Sequence, residues 1–182
     1  MIREIAFAAG SVFFVIVSRK SIFHPSSHGF YRFLAWECSL ALVLLNVPHW
    51  FKDPFSLNQL ASWSFFIVSI ILVASGAHLL RKIGKPSRDR VDDKLIAIEK
   101  TSTLVTVGLY KYIRHPLYSS LLFLAWGVFL KHLSLPGLLL ALFSTLFLFF
   151  TAKRDEAECL KYFGEPYRFY MRGTKRFIPF LF

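Results

Sequence analysis

The sequence predicts an all-α fold, a polytopic membrane helical bundle of about five transmembrane helices. Two observations predict it. Of 182 residues, 55% are hydrophobic and 21 are phenylalanine. A water-soluble domain of this size would have to expose much of that surface as adhesive patches. The apolar residues also come in long runs, and the basic residues gather in the segments between them. The chain, 1–182, reads as one domain, without internal repeats or low-complexity tracts.

A helix needs about 20 mostly apolar residues to cross a hydrocarbon core of roughly 30 Å. The first run is 2–17. It is followed by Val17-Ser18-Arg19-Lys20 and not by a small-residue cleavage site, so it reads as an anchor and not as a removable leader. The second run is 33–50, with Glu37 near its start, and the third, 60–80, is uninterrupted. The fourth, 117–130, has 14 residues, which rise only about 21 Å as helix. It is expected either to begin earlier, near Ile113, or to form a tight hairpin with the fifth run, 135–152, with Pro136-Gly137 in the turn. The fifth helix is expected to run on beyond the membrane to Gly164 as a left-handed cap, with Pro166 two residues later.

The charge pattern orients the spans. Of 22 Lys and Arg, three lie in 18–32, nine in 81–116 and seven in 153–182; only Arg3, Lys52 and Lys131 fall on the opposite side of a five-span arrangement. Basic residues concentrate on the cytoplasmic side. The N-terminus is therefore expected outside, and the tail and the 81–116 loop inside. A formal charge of +11 on a soluble protein would suggest nucleic acid; beside membrane spans it reads as headgroup-facing charge, and no nucleic-acid partner is expected. The two cysteines, Cys38 and Cys159, have no metal-ligand spacing, so neither a disulfide framework nor a metal is expected.

Three stretches carry chemistry. The 81–116 loop holds four acids, Asp89, Asp92, Asp93 and Glu99, then turns apolar in "TSTLVTVGLY" before Arg114-His115-Pro116. A residue before proline avoids the helical region, and proline favours the first helical position. A helix starting at Pro116 would offer unpaired N–H groups beside Arg114 and His115, which suits an anion. The bland alternative is that Arg114 reaches to headgroups and His115 merely caps. After the fifth span comes "AKRDEAECLKYFGEPY". Asp155 and Glu156 are adjacent on a helix and point about 100° apart, so both cannot face one small pocket. One would bind a ligand and the other pair with a base or solvent; an ordinary solvated charge run is the bland reading. Last, "YRFYMRGTKRFIPFLF" alternates aromatic and basic residues, which suits a segment lying against anionic lipid.

"LVTVGLYKYIRHPLY", a membrane hairpin, and "DEAECLKYFGEPYRFY" with a late "RFIPF" together resemble the isoprenylcysteine carboxyl methyltransferase and phospholipid methyltransferase superfamily. The resemblance covers about 102–180. It implies an integral membrane enzyme that uses S-adenosylmethionine, with a cytoplasmic cofactor pocket and no metal. Carried over by position, Ser102, Thr103, Leu104 and Val105 contribute backbone and packing contacts, Tyr110 lines the pocket, and His115, Pro116, Leu117 and Tyr118 frame it. Asp155 or Glu156 closes it, and one of the two assists as a base if the acceptor must lose a proton. The usual pair is Glu-Glu, and Asp155 is one methylene shorter, so which acid reaches the cofactor stays open. Some relatives use an arginine near the end of span five for substrate; Thr151 stands there, which weakens a prenylcysteine acceptor. A lipophilic acceptor entering from the bilayer is expected, because a soluble acceptor would not need five spans, with membrane lipids as partners. The bland alternatives are that the membrane merely localises the enzyme or that a small volatile thiol is the acceptor. Two rivals remain: an NADPH-dependent reductase similar to membrane sterol reductases, and a scaffold or transport subunit. Intramembrane ionisable residues would mark the latter, and Glu37 and His78 are the candidates.

Single cysteines at Lys52 and Arg90, in a background lacking Cys38 and Cys159, are expected to label from opposite sides of intact cells. Labelling of both from one side would overturn the five-span topology.

Overall fold

The computed structural model describes residues 1–85 and 95–181. The predicted loop residues Arg88, Asp89, Arg90, Asp92, Asp93 and Lys94 lie outside the described residues. Among those described there are six α-helices and no β-strand: α1 (Ile2–Ser18), α2 (His28–Asn46), α3 (Leu57–Lys82), α4 (Pro116–Phe129), α5 (Leu135–Phe163) and α6 (Glu165–Gly173). Three are long and apolar enough to cross a membrane: α2 with its short continuation to His49, α3 and α5. The first and fourth predicted spans are also helices, but α1 has 17 residues and α4 has 14.

Three local expectations are corrected. The second helix begins at His28, five residues before the predicted start. Pro25 and Ser26-Ser27 break the preceding turn, and Ser27 stands extended ahead of the helix. Arg32, counted above as a loop cation, is therefore inside α2 and 1% exposed. It joins Glu37 and His78 among ionisable groups on these helices. The fourth helix starts at Pro116, as the Arg-His-Pro motif predicts, so the alternative start near Ile113 falls away. Pro136 and Gly137 belong to the first turn of α5 and not to the hairpin turn; Ser134 caps that helix, its Oγ accepting from Gly137 N at 3.3 Å. At the far end of α5, Gly164 has the expected positive φ of 66°, but its ψ of −138° lies outside the left-handed helical region. The chain thereby turns directly into α6.

The helices pair as α2 with α5 and α3 with α4; α4 then lies against α5 and α2, and α1 packs on α2. Lipid tails are as apolar as leucine, so helices in a bilayer associate through close packing and interhelical hydrogen bonds. Both occur here. Ser62 donates to Gly127 O and Ser69 to Ser120 O, each at 2.7 Å, across α3 and α4. Ser39 and Ser144 join α2 to α5 at 3.1 Å. Ser11 on α1 donates to the Glu37 carboxylate at 2.6 Å. A Cβ on Gly76 would stand 3.1 Å from Pro116 Cβ, so glycine there admits the start of α4 against α3. The outer faces stay apolar: Ile2, Ile5, Val12, Phe13 and Ile16 of α1 are each more than half exposed.

Lys131, expected as a flanking cation, is 3% exposed. Its Nζ donates to Gln59 Oε1 at 2.9 Å and sits 3.6 Å from the centre of the Trp63 ring. Lys131→Met is expected to lose this cation–π contact and leave the Gln59 oxygen without its donor, at a cost of about 1–3 kcal/mol. A thermal-unfolding series in detergent checks this. Adding Gln59→Leu should recover part of the loss, because both polar partners are then gone.

Candidate active site

Where α3 ends and α4 begins, the 98–105 segment, a short helical turn (Gly108–Lys111), α5 and α6 enclose a cleft of about 670 Å³, counted to its open mouth. Its walls are aromatic and aliphatic, from Leu104, Val105, Tyr110, Leu117, Tyr118 and Phe163 together with Tyr167 and Tyr170 of α6. Its polar groups include Glu99, Arg114, His115 and Asp155. A mostly apolar concavity with a few convergent polar groups is the usual form of a small-molecule site.

Local chemistry explains how the motif takes this shape. Gly108 has φ 60°, a conformation that favours glycine, and its missing Cβ leaves room for the Leu79 side chain. The turn is held from α6, where Tyr170 Oη donates to Tyr110 O at 2.6 Å. His115, directly before Pro116, is pushed out of the helical region (φ −125°, ψ 61°), and the backbone around it pairs with the C-terminal arm instead. Arg114 N donates to Lys175 O at 2.8 Å, Lys175 N to Tyr112 O at 2.9 Å and His115 N to Arg176 O at 3.2 Å. Pro116 then opens α4.

The two adjacent acids diverge as helix geometry demands. Asp155 lines the cleft. Glu156 is 4% exposed and lies outside the cleft lining. It accepts from Arg114 Nε at 2.9 Å and from Arg176 Nε and Nη2 at 3.0 and 2.8 Å. His115 stands between the acids, with Nε2 3.3 Å from Glu156 Oε1 and Nδ1 3.4 Å from Asp155 Oδ2. Burial lowers its pKa, but the hydrogen bonds to Asp155 and Glu156 outweigh burial and raise it above the ordinary 6.5. The ring also stacks on Tyr118, with centroids 5.2 Å apart.

Of the residues singled out from sequence, Leu104, Val105, Tyr110, His115, Leu117, Tyr118 and Asp155 meet at the cleft. Ser102, Thr103, Pro116 and Glu156 are not in its lining. Ser102 and Thr103 are exposed and bond Gly84 O through their backbone N–H groups, and Pro116 packs on Gly76.

Sequence reasoning missed a second buried network. Glu99 lines the cleft and accepts hydrogen bonds from Arg32, from His28 Nε2 at 3.2 Å and from Ile96 N at 3.0 Å. His28 Nδ1 meets Glu158 Oε2 at 2.6 Å. Burial pushes the Glu99 carboxyl up, but the Arg32 guanidinium and His28 together bring it down to about 2. This network ties the 95–105 segment to α2 and α5. His28, Asp155 and Glu158 bring ligand atoms within 4.8 Å of one another. Both His28 ring nitrogens already face carboxylates, Nδ1 toward Glu158 and Nε2 toward Glu99, so the ring is engaged in this network. The available signal was the spacing: His28 and Arg32 are four apart and share a helix face once α2 starts at His28.

A membrane helical bundle with an Arg-His-Pro helix start and an acid-bearing helix beyond the last span defines a class, and comparison places the chain within it. The family model described as PEMT, phospholipid methyltransferase, matches residues 57–165, more than half of the chain. The chain belongs to this phospholipid methyltransferase family. It is also similar to the methanethiol S-methyltransferase of Pseudomonas deceptionensis, 32% identical over 73 residues. That match covers 40% of this chain and 27% of the relative. No solved structure matches.

Folding raises the His115 pKa, so the folded state holds this proton more tightly than the unfolded chain. The resulting stabilisation is full below about pH 6.5 and is lost as pH rises through the raised folded value. The thermal midpoint should therefore fall on the alkaline side of that window. Glu156→Gln should cost about 3–5 kcal/mol of stability for a broken buried ion pair, lower the midpoint at every pH, and flatten the alkaline fall. Glu165→Gln, which removes only an exposed pair with Arg168, should change neither.

Proposed function

We propose that the protein is an S-adenosylmethionine-dependent methyltransferase that acts on a lipophilic acceptor reaching the cleft from the bilayer. The observation that carries this reading is the position of Asp155. It is a carboxylate facing an aromatic cleft beside a buried His115, at the end of the bundle where α4 begins. The residues suit the cofactor's chemistry. Asp155 would accept from its ammonium or ribose hydroxyls. Leu104, Val105 and Tyr110 offer walls for a flat base, and Arg114 and His115 offer charge for its carboxylate. When bound, the cofactor supplies an electrophilic methyl group whose leaving thioether is neutral. The protein's own task is then mostly to orient the reactants and exclude water. Between the two acids, the geometry favours Asp155 for ligand contact, because it alone lines the cleft. Glu156 already accepts from the Arg114 and Arg176 guanidinium groups and faces His115, so it is a poor base.

The basic asymmetry of the sequence supports a cleft on the cytoplasmic side, where a water-soluble cofactor is supplied. Leu80 at the end of α3 and Leu117 at the start of α4 both line the cleft, so its apolar wall is continuous with membrane helices. A lipid tail could rest there while its head meets the methyl donor. A second reading has its own support: the similar Pseudomonas protein is named for methanethiol, so a small thiol is the alternative acceptor.

Thermal-shift titrations should show stabilisation by S-adenosylmethionine and its demethylated product but not by NADPH; stabilisation by NADPH alone would point to a reductase. Asp155→Asn should weaken cofactor binding about ten- to a hundredfold, the loss of one charge-assisted hydrogen bond. Labelled-methyl transfer should be offered membrane lipid extract, an isoprenylated cysteine and small thiols in parallel. Label in the organic phase supports the lipid acceptor. Transfer only to a soluble thiol overturns it and leaves the methyltransferase reading standing.

A further inference from the structure

A second cavity, about 720 Å³ counted to its open mouth, lies on the other side of Arg114 from the cleft. Arg114, Arg172, Lys175 and Arg176 line it, with Thr174 and Leu181. Glu156 engages Arg114 and Arg176. Arg172 and Lys175 are exposed, and no acid among the described residues lies within ion-pair distance of either. Four cations line this hollow and, among the described residues, its lining holds no acid, which leaves a positive site. The established uses of these residues do not absorb it.

Position identifies the occupant. Phe177, one residue past Arg176, is buried against Tyr118, Leu148 and Ala152, and its carbonyl accepts from Ser119 of α4 at 2.9 Å. The arm therefore lies across the ends of α4 and α5, where their apolar runs give way to charged residues. Beside the cavity, Phe180 and Leu181 are 84% and 75% exposed. Basic side chains next to exposed apolar ones at a helix–membrane boundary suit an anionic lipid, the phosphate on the cations and the acyl chain on the apolar pair. A free phosphate would use the cations and leave Phe180 and Leu181 without purpose.

We propose that this cavity, built from Arg172, Thr174, Lys175 and the back of Arg114, binds the phosphate headgroup of an anionic phospholipid. The site goes beyond the proposed methyl transfer and does not depend on it. It is joined to the cleft through the backbone, because Lys175 and Arg176 hydrogen-bond to Tyr112, Arg114 and His115. Lipid occupancy would thus brace the segment that presents Arg114 and His115.

The test is native mass spectrometry of the full chain in mild detergent, without cofactor, with dioleoyl phosphatidylglycerol or dioleoyl phosphatidylcholine added. Wild type should retain the anionic lipid preferentially. Arg172→Gln/Lys175→Gln should cut that preference at least about fivefold with an unchanged thermal midpoint. Lys153→Gln/Arg154→Gln, an exposed basic pair on α5, should retain it. Equal retention by wild type and the Arg172/Lys175 variant, or equal losses in both double variants, would overturn the proposal. So would full displacement of the lipid by millimolar inorganic phosphate, which would make this a free-anion site.

Discussion

One buried carboxylate holds the cleft end of this molecule together. Glu156 receives Arg114 and His115 from the start of α4 and Arg176 from the C-terminal arm, while its own backbone belongs to α5. Three chain segments distant in sequence converge on two oxygens. Such a buried charge is tolerable only while its partners remain, since a buried ion that loses its counter-charges keeps its desolvation cost. The arrangement also has a directional consequence. With Glu156 turned toward the arm, the next-door Asp155 must point about 100° away, which is into the cleft. The structural acid thereby aims the ligand-facing one.

The rest of the bundle serves that geometry with little specific chemistry. Serine hydroxyls and Gly76 let α3 and α4 approach closely, so the helix that begins at Pro116 is placed by packing and not by its own length. The short α4 matters less than its start. A turn of residues before a proline must leave the helix, and here its freed backbone groups are taken by the 174–176 arm. On the opposite wall, Glu99 reaches Arg32 and His28 and closes the loop that carries Leu104 and Val105. The cleft is thus framed by two buried ionic networks and floored by aromatic rings. Polar anchors surround a mainly apolar hollow, which suits a site shared by a polar cofactor and a greasy acceptor.

Much of this was legible from local rules. The helix start at Pro116, the positive φ at Gly164 and the divergence of Asp155 and Glu156 each follow from one residue's stereochemistry and its near neighbours. What stayed hidden depends on partners far along the chain. Arg32 looked like a loop cation because its pairing acid, Glu99, lies 67 residues away. Lys131 looked like a membrane flank, but a ring and an amide about 70 residues upstream, Trp63 and Gln59, bury it. Which acid faces the cleft was likewise undecided, because Arg176, the residue that claims Glu156, belongs to an arm with no strong periodicity. Ser102 and Thr103 stand directly ahead of the Leu104–Tyr118 motif, and only the fold shows them facing outward.

The central claim, that Asp155 faces the methyl donor while Glu156 holds the fold, is tested most directly by an experimental structure with S-adenosylhomocysteine bound. The account predicts ligand density among Tyr110, Tyr118 and Asp155, with Glu156 still engaged by Arg114 and Arg176. Ligand contacting Glu156 with that ion cluster broken, or density outside this cleft, would contradict it.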